Sequence, residues 1–151
     1  MNFRVAKIDD LKKLNSISLK SKAYWGYPTA WIEKWEDDLR IARDEFKKQN
    51  ILLVENKNGI IGFCSMTEHD ANYEILHLWM LPEYIGKGIG KKLLKKTMEM
   101  FVRSEKPITV EADPNAEPFY KRQGFVTYDK VESFPKGRFL PVMKKNIADT
   151  A

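Results

Sequence analysis

Apolar positions in the first third of the chain follow a helical rather than a strand period. Residues 3–5 alternate and predict a first strand, after which two stretches repeat apolar residues every three or four positions. On the first helix, which Asp9 or Asp10 is expected to cap, these residues are Leu11, Leu14, Ile17 and Leu19. On the second helix, predicted to follow Pro28, they are Trp31, Ile32, Trp35 and Leu39. A shorter helix is predicted at residues 42–48.

The period changes to that of strands after residue 50. Residues 51–54 form a buried run, and residues 60–66 predict the returning strand of a hairpin. The pair Asn58-Gly59 between them is typical of a type I′ turn. A polar turn at residues 69–72 then leads into a third strand at residues 73–80. Since the turns are short, these strands are expected to pair as an antiparallel meander.

A β-loop-α-β unit follows the meander. Pro82 ends the third strand, a glycine-rich turn begins a helix, and residues 108–112 predict the next strand. Such a connection crosses over right-handed, so the two strands should be parallel. A short helix at residues 117–122, with Gly124 after its end, and strands at residues 125–130 and 139–144 complete a mixed α+β sheet with helices on its faces.

The size and composition of the chain limit what it can be. A length of 151 residues fits one domain, which we place at residues 1–147, with a short tail at residues 148–151. The N-terminus does not resemble a secretory signal and no apolar run approaches a bilayer span, so we expect a cytoplasmic protein. Cys64 is the single cysteine, which excludes an internal disulfide and a cysteine-rich zinc site. We expect no metal.

The segment from Gly86 to Gly90, Gly-Lys-Gly-Ile-Gly, is the most informative part of the sequence. A glycine turn at the start of a helix lets backbone N–H groups converge on a phosphate. A P-loop is not supported, because no Ser or Thr follows Gly90-Lys91. The dinucleotide-binding pattern Gly-x-Gly-x-x-Gly also fails, since Lys91 or Leu93 occupies its last position. A plain connecting turn remains the alternative to a phosphate loop.

Residues 85–90 resemble the pyrophosphate loop of the GNAT (GCN5-related) N-acetyltransferases, Arg/Gln-x-x-Gly-x-Gly/Ala, with Ile85 in place of the usual Arg or Gln. Residues 78–84 resemble the strand that precedes this loop in the family. Residues 115–125 resemble a second family motif, Asn-x-x-Ala-x-x-Phe-Tyr-x-x-x-Gly-Phe, with a shorter spacing from Asn115 and a proline at position 118. The resemblance implies the GNAT acyl-CoA N-acyltransferase fold, in which the strand before the loop splays away from its parallel neighbour.

The same resemblance implies an acetyl-CoA-dependent N-acetyltransferase with acetyl-CoA as co-substrate. On the strand, backbone groups of Leu78, Trp79 and Met80 are expected to pair with the pantetheine arm, and the Met80 N–H to polarise the thioester carbonyl. The expected contacts to the rest of the cofactor are Ile85, Gly86, Lys87, Gly88, Ile89, Gly90, Lys91 and Asn115. Of these, Lys87 and Lys91 are expected to contact the CoA phosphates.

Three side chains are candidates for the proton transfers. The resemblance makes Tyr120 the general acid that protonates the CoA thiolate. Glu74 lies eleven residues before Ile85, which matches the glutamate base of some histone acetyltransferases of this fold. Histidine ordinarily has a pKa near neutrality, which makes His77 the other candidate base. An ideal strand would send Glu74 and His77 to opposite faces, and deprotonation through water is the third option.

The acceptor side is expected between the first two helices, where Tyr24, Trp25 and Tyr27 offer an aromatic wall. Arg138, between the last two strands, is a candidate contact for an acceptor carboxylate. We therefore expect a small-molecule primary amine as acceptor, with no nucleic-acid or membrane partner and a homodimer left open. The formal charge of +5 alone would also suit a nucleic-acid-binding module. A non-catalytic CoA-binding module of the same fold is the stronger alternative.

Overall fold

A computed structural model describes residues 1–147, so the tail predicted at residues 148–151 lies outside the described residues. Seven strands form a mixed sheet in the order β1-β2-β3-β4-β5-β7-β6. The strands are β1 Asn2–Val5, β2 Asn50–Asn56, β3 Gly59–Glu68, β4 Tyr73–Met80, β5 Ile108–Glu111, β6 Val126–Ser133 and β7 Arg138–Lys145. The helices are α1 Leu11–Ala23, α2 Thr29–Leu39, α3 Arg43–Phe46, α4 Ile89–Phe101 and α5 Glu117–Arg122. Within residues 1–147, no helix has both the length and the apolar character needed to cross a membrane.

The chain divides into two compact units. The first contains Met1–Met66 and His77–Phe101, and the second contains Thr67–Leu76 and the described residues from Val102 onward. Strand β4 contributes residues to both units. The mixed sheet, the antiparallel meander and the β-loop-α-β unit predicted from the sequence are confirmed. The prediction of one domain at residues 1–147 stays a prediction.

In the first unit, the alternation of β2 divides its side chains between two helical layers. On one face Ile51 and Leu53 belong to a core cluster that also contains Leu14 and Ile17 of α1. On the other face Leu52 and Val54 are fully buried, and α4 packs on β2 with Leu93 and Leu94 buried. A strand covered on both faces needs apolar residues at every position, which explains the continuous apolar run in the sequence.

Two local predictions in the first unit need correction. Asp10 occupies the predicted N-cap position of α1, but its side chain makes no capping hydrogen bond, because its carboxylate binds the Arg4 guanidinium at 2.9 Å and the Lys7 N–H at 2.7 Å. The ion pair with Arg4 lowers the pKa of Asp10. The β2–β3 hairpin exists, but its turn is not type I′, which needs positive φ at both central residues. No described residue other than glycine has positive φ, and Gly59 takes that conformation instead, with φ of 120°.

In the second unit, β4 pairs in parallel with β5, and β5, β7 and β6 pair antiparallel in that order. The parallel register joins Tyr73–Ile75 to Ile108–Val110, so Leu76–Met80 lie outside it. The core of this unit contains buried strand residues, one aromatic residue of α5 and one that follows it: Tyr73, Ile75, Ile108, Val110, Met143, Tyr120 and Phe125.

Candidate functional site

The glycine loop, residues 85–90, joins the 3-10 turn Pro82–Tyr84 to α4. Gly86 and Gly88 have φ angles of 82° and 79°, a left-handed conformation that favours glycine, and a Cβ atom at either would meet no atom within 4 Å. The Lys92 N–H donates to the Gly88 carbonyl at 3.4 Å as the helix begins. The N–H groups of residues 89–91 therefore have no acceptor within the helix, and such groups attract anions.

The positive charge around this loop is exposed. The lysines in the loop and on α4 all lie at the surface: Lys87, Lys91, Lys92, Lys95 and Lys96. The Lys96 ammonium lies 5.2 Å from the Phe3 ring centroid, so its side chain packs on β1. Ile85, at the position of the family's Arg or Gln, is half buried and supplies no charge. Backbone N–H groups and exposed lysines are thus what this loop offers a phosphate.

The end of β4 is fixed against β3 by a close approach at a glycine. The Leu81 N–H donates to the Ile61 carbonyl at 2.8 Å. A Cβ atom at Gly62 would lie 2.4 Å from the Met80 sulfur and 2.9 Å from the Trp79 carbonyl oxygen. Sequence reasoning missed Gly62, although a glycine inside a strand pattern is a known signal of close backbone approach. Its missing side chain makes room for Met80, which is buried.

His77 is a buried and already bonded histidine. Its side chain is 8% exposed, and its Nδ1 accepts a hydrogen bond from the Trp79 Nε1–H at 3.0 Å. The proton of the neutral ring is therefore on Nε2. Burial lowers the pKa of His77 to about 4, so the ring is neutral at pH 7. This environment is that of a core histidine with its hydrogen bond satisfied.

Glu74 lies in the second unit, three residues before His77 on β4. Burial alternates along β4 from Tyr73 to His77, with Glu74 half buried and His77 buried, as expected of a regular strand. The Glu74 Oε1 lies 2.8 Å from the His69 Nε2, and both side chains contact solvent. His69 stands in the predicted polar turn, and nothing in the sequence pattern signals its pairing with Glu74.

Tyr120 and Asn115, both predicted from the second motif, differ in their surroundings. Tyr120 on α5 is 5% exposed and packs edge-on against Phe119 at 5.2 Å and Phe125 at 5.4 Å between ring centroids. Phe119 itself is only half buried. Asn115 is exposed, and its N–H donates to the Asp113 Oδ1 at 2.8 Å.

The aromatic residues after α1 do not form one wall. Tyr24 and Trp25 are 51% and 42% exposed and contact each other edge-on at 5.1 Å between centroids. Tyr27 instead packs on Trp35 at 5.0 Å, in a cluster that also contains Trp31. Of these two periodic apolar residues of the second helix, Trp35 is buried and Trp31 is half buried.

A buried lysine that the sequence did not single out lies in this cluster. The Lys22 ammonium is 4.6 Å from the Trp35 ring centroid, 5.1 Å from that of Tyr27 and 5.9 Å from that of Trp79. Aromatic faces attract a cation at such distances. The contact with Trp79 connects the end of α1 to the part of β4 that is expected to bind pantetheine.

Arg138, the predicted contact for an acceptor carboxylate, is engaged inside the second unit. Its Nη2 lies 3.3 Å from the Asp113 Oδ2, and the two side chains are 12% and 7% exposed. Its Nη1 donates to the Ser133 hydroxyl at 3.2 Å. Arg138 is therefore not an exposed hairpin arginine, and its charge is balanced by a neighbouring carboxylate.

Tyr24 lines a cavity of about 610 Å³ in the first unit, between α1, the β2–β3 turn and the segment after β4. Trp25, Tyr27 and Arg138 do not line it. Among residues 1–147, no group of three or more His, Cys, Asp and Glu side chains is arranged to hold a metal ion.

Comparison with known proteins gives a consistent set of matches. The family model described as an acetyltransferase (GNAT) domain matches residues 25–146. The uncharacterized N-acetyltransferase YafP of Escherichia coli K12 is 37% identical over 103 residues, which cover 66% of this chain and 59% of that protein. The uncharacterized N-acetyltransferase ycf52 of Gracilaria tenuistipitata var. liui is 30% identical over 101 residues, with 64% and 56% covered. The chain thus spans less than two thirds of these relatives.

Solved structures share the fold over almost the whole chain. The PaiA N-acetyltransferase of Thermoplasma acidophilum, in complex with coenzyme A, has a TM-score of 0.76 at 22% identity, covering 97% of this chain and 99% of that one. A GCN5-related N-acetyltransferase of Rhodopseudomonas palustris has a TM-score of 0.79 at 20% identity, covering 97% and 95%. At these identities the likeness shows the fold alone.

Proposed function

The chain belongs to the GNAT acetyltransferase family, and from this premise we propose that it transfers an acetyl group from acetyl-CoA to the primary amine of a small molecule. The main support for the proposal is the conformation of the glycine loop. Gly86 and Gly88 leave open space beside a helix start whose N–H groups have no acceptor within the helix. A diphosphate fits such a place because it can accept several N–H donors at once.

The pantetheine arm is proposed to pair with the backbone of Leu78, Trp79 and Met80. These residues lie outside the parallel register of β4, which supports the proposal because a strand end can pair with an extended ligand as with another strand. Gly62 fixes the position of Met80, and we propose that the Met80 N–H polarises the thioester carbonyl.

In the proposed reaction, the amine nitrogen bonds to the thioester carbonyl carbon, the C–S bond breaks, and the CoA thiolate takes a proton from a general acid. Tyr120 is the proposed acid on the strength of its motif. Before attack the acceptor must lose a proton, which for an amine of pKa near 10.4 costs roughly 4–5 kcal/mol at pH 7. A base or a chain of waters is therefore useful.

Between the two candidate bases, the surroundings support Glu74. The His77 ring is buried, and the lone pair on its Nδ1 already accepts the Trp79 N–H. Glu74 contacts solvent and pairs with His69, whose imidazole can pass a proton onward. We therefore propose Glu74, with water as the alternative. A cytoplasmic location and a homodimer stay predictions.

Two measurements test the proposal. Acetyl-CoA should raise the melting temperature of the protein, and a panel of primary amines should then release free CoA thiol from acetyl-CoA. Absence of stabilisation at millimolar acetyl-CoA would contradict the central claim. Stabilisation without thiol release from any amine would favour the non-catalytic CoA-binding module. Salt-sensitive binding of DNA or RNA, without stabilisation by acetyl-CoA, would instead favour the nucleic-acid-binding module.

A further inference from the structure

The cavity beside α1 has the size and the lining of a small-molecule site. Its volume of about 610 Å³ lies within the range of about 300–1,000 Å³ typical of ligand pockets. Apolar contact comes from Ile60, Ile61 and Leu81, and an aromatic ring comes from Tyr24. We refer to it as the α1 cavity.

The walls of the α1 cavity are held in place by hydrogen bonds within the first unit. Asn56, at the end of β2, donates from its amide to the Tyr84 hydroxyl at 2.9 Å and accepts the Asn58 N–H at 2.8 Å. These bonds tie the β2–β3 turn to the segment after β4. The Leu81 N–H to Ile61 carbonyl bond fixes the floor. A cavity built in this way exists before its ligand arrives, which lowers the entropy cost of binding.

Positive charge exceeds negative charge in the lining. Lys13 and Lys20 of α1 both line the cavity, and Glu83 is the single carboxylate among its lining residues. The two lysines are seven residues apart, two helical turns, so they project from the same face of α1 about 10 Å apart. Tyr24 lies one further turn along this face. A ligand in the cavity therefore meets an apolar floor and an amine-rich side.

We propose that the α1 cavity binds the acceptor and that Lys13 and Lys20 hold an anionic group on it, which makes the acceptor an amine that also carries a carboxylate. This inference rests on the proposed function. Leu81 of the floor directly follows Met80, so the amine end is placed toward β4 and the anionic end toward α1. The sequence predicted that Arg138 would bind an acceptor carboxylate. We assign that contact to Lys13 and Lys20 instead, because Asp113 already balances the charge of Arg138.

The test uses matched amines that differ only in charge. The probes are 4-aminobutanoate, 6-aminohexanoate and 4-(aminomethyl)benzoate, each compared with its primary amide, in binding by calorimetry and in thiol release with acetyl-CoA. The acids should bind and turn over with a kcat/KM roughly tenfold above that of the amides, an advantage equal to about 1.4 kcal/mol. The advantage should shrink at high salt because the lysines are exposed.

Variants of the lining residues test whether the preference for acids arises in the α1 cavity. Lys13→Met with Lys20→Met should remove the preference for acids while leaving acetyl-CoA binding unchanged. Lys12→Met is the matched control, since Lys12 is an exposed α1 lysine that does not line the cavity. Glu83→Gln should strengthen acid binding, because it removes the like charge from the lining.

The results that would overturn this inference differ from those that would overturn the proposed function. Equal use of acids and amides, or an acid preference that survives loss of both lysines, overturns the inference. No binding of any acid at 10 mM also overturns it. If acetyl-CoA stabilises the protein and other amines release thiol in the same experiments, the proposed function stands while this inference fails. If acetyl-CoA does not bind, both fail.

Discussion

The glycine loop and the candidate catalytic side chains differ in how accessible their polar groups are. The loop offers backbone N–H groups and exposed lysines to solvent. His77 and Tyr120 are buried, and Glu74 is already paired with His69. A backbone site depends on local conformation, whereas a side-chain site depends on neighbours that come from distant parts of the chain.

The sharpest test of the loop is Gly88→Val. A β-branched residue is strained at a φ of 79°, so the N–H groups should lose their arrangement and acetyl-CoA affinity should fall at least about 100-fold. The melting-temperature shift caused by acetyl-CoA measures this. Gly137→Val is the matched control, because Gly137 has a φ of 89° and open space but lies in the β6–β7 turn. Equal loss of binding in both variants would contradict a specific role for the loop.

On the catalytic side, the largest effect is expected from Tyr120→Phe. If Tyr120 protonates the leaving thiolate, the variant should lower kcat by roughly 10–10³-fold with little change in acetyl-CoA affinity. The phenyl ring retains the packing against Phe119 and Phe125, so the fold should persist. Single-turnover rates with an accepted amine measure this, and an unchanged rate would reduce Tyr120 to a packing residue.

The two candidate bases are separated by pH profiles. If Glu74 is the base, Glu74→Gln should lower kcat/KM roughly tenfold or more on the neutral plateau of the profile and should remove its acidic limb. His77→Asn should leave that limb in place, because the buried His77 ring already accepts the Trp79 N–H on its Nδ1. If only His77→Asn changes the profile, His77 is the base. If neither variant changes it, the amine loses its proton to water.

Burial of His77 also predicts a pH dependence of stability. Its pKa is about 4 in the folded protein against 6.5 ordinarily, so the unfolded state binds the proton first as pH falls. The free energy of unfolding is therefore highest above pH 6.5 and falls progressively below it, by about 2 kcal/mol between pH 7 and pH 5. Urea unfolding at both pH values measures this. His77→Asn should lose correspondingly less stability over the same interval, and an equal loss would show that other groups cause it.

The smallest effect is expected at the acceptor side. Trp25 packs edge-on against Tyr24, which lines the α1 cavity, so Trp25→Ala should raise the acceptor KM by several-fold. Acetyl-CoA binding should be nearly unchanged. Steady-state kinetics in the two substrates separate these effects. Efficient turnover only with polybasic peptides or polyamines would show that the acceptor has been assigned to the wrong chemical class.

The candidate site was predictable where the signal is local. A glycine with positive φ before a helix can be recognised from neighbouring residues, and both Gly86 and Gly88 adopt that conformation. The aromatic residues after α1 show the opposite case. Tyr24 and Tyr27 are three positions apart in a single connection, yet one is exposed and the other packs on α2.

By itself, the sequence determined the order of elements, the parallel crossover and the glycine loop, because periodicity and turn residues act over a few positions. Tertiary structure decided which charges have partners. Arg138 meets Asp113, Lys22 lies among rings from α2 and β4, and His77 receives the Trp79 N–H. The protonation and availability of a side chain depend on burial and on atoms within a few ångströms of it. Except for the Trp79 bond to His77, those atoms belong to residues remote in sequence, so only the folded chain places them.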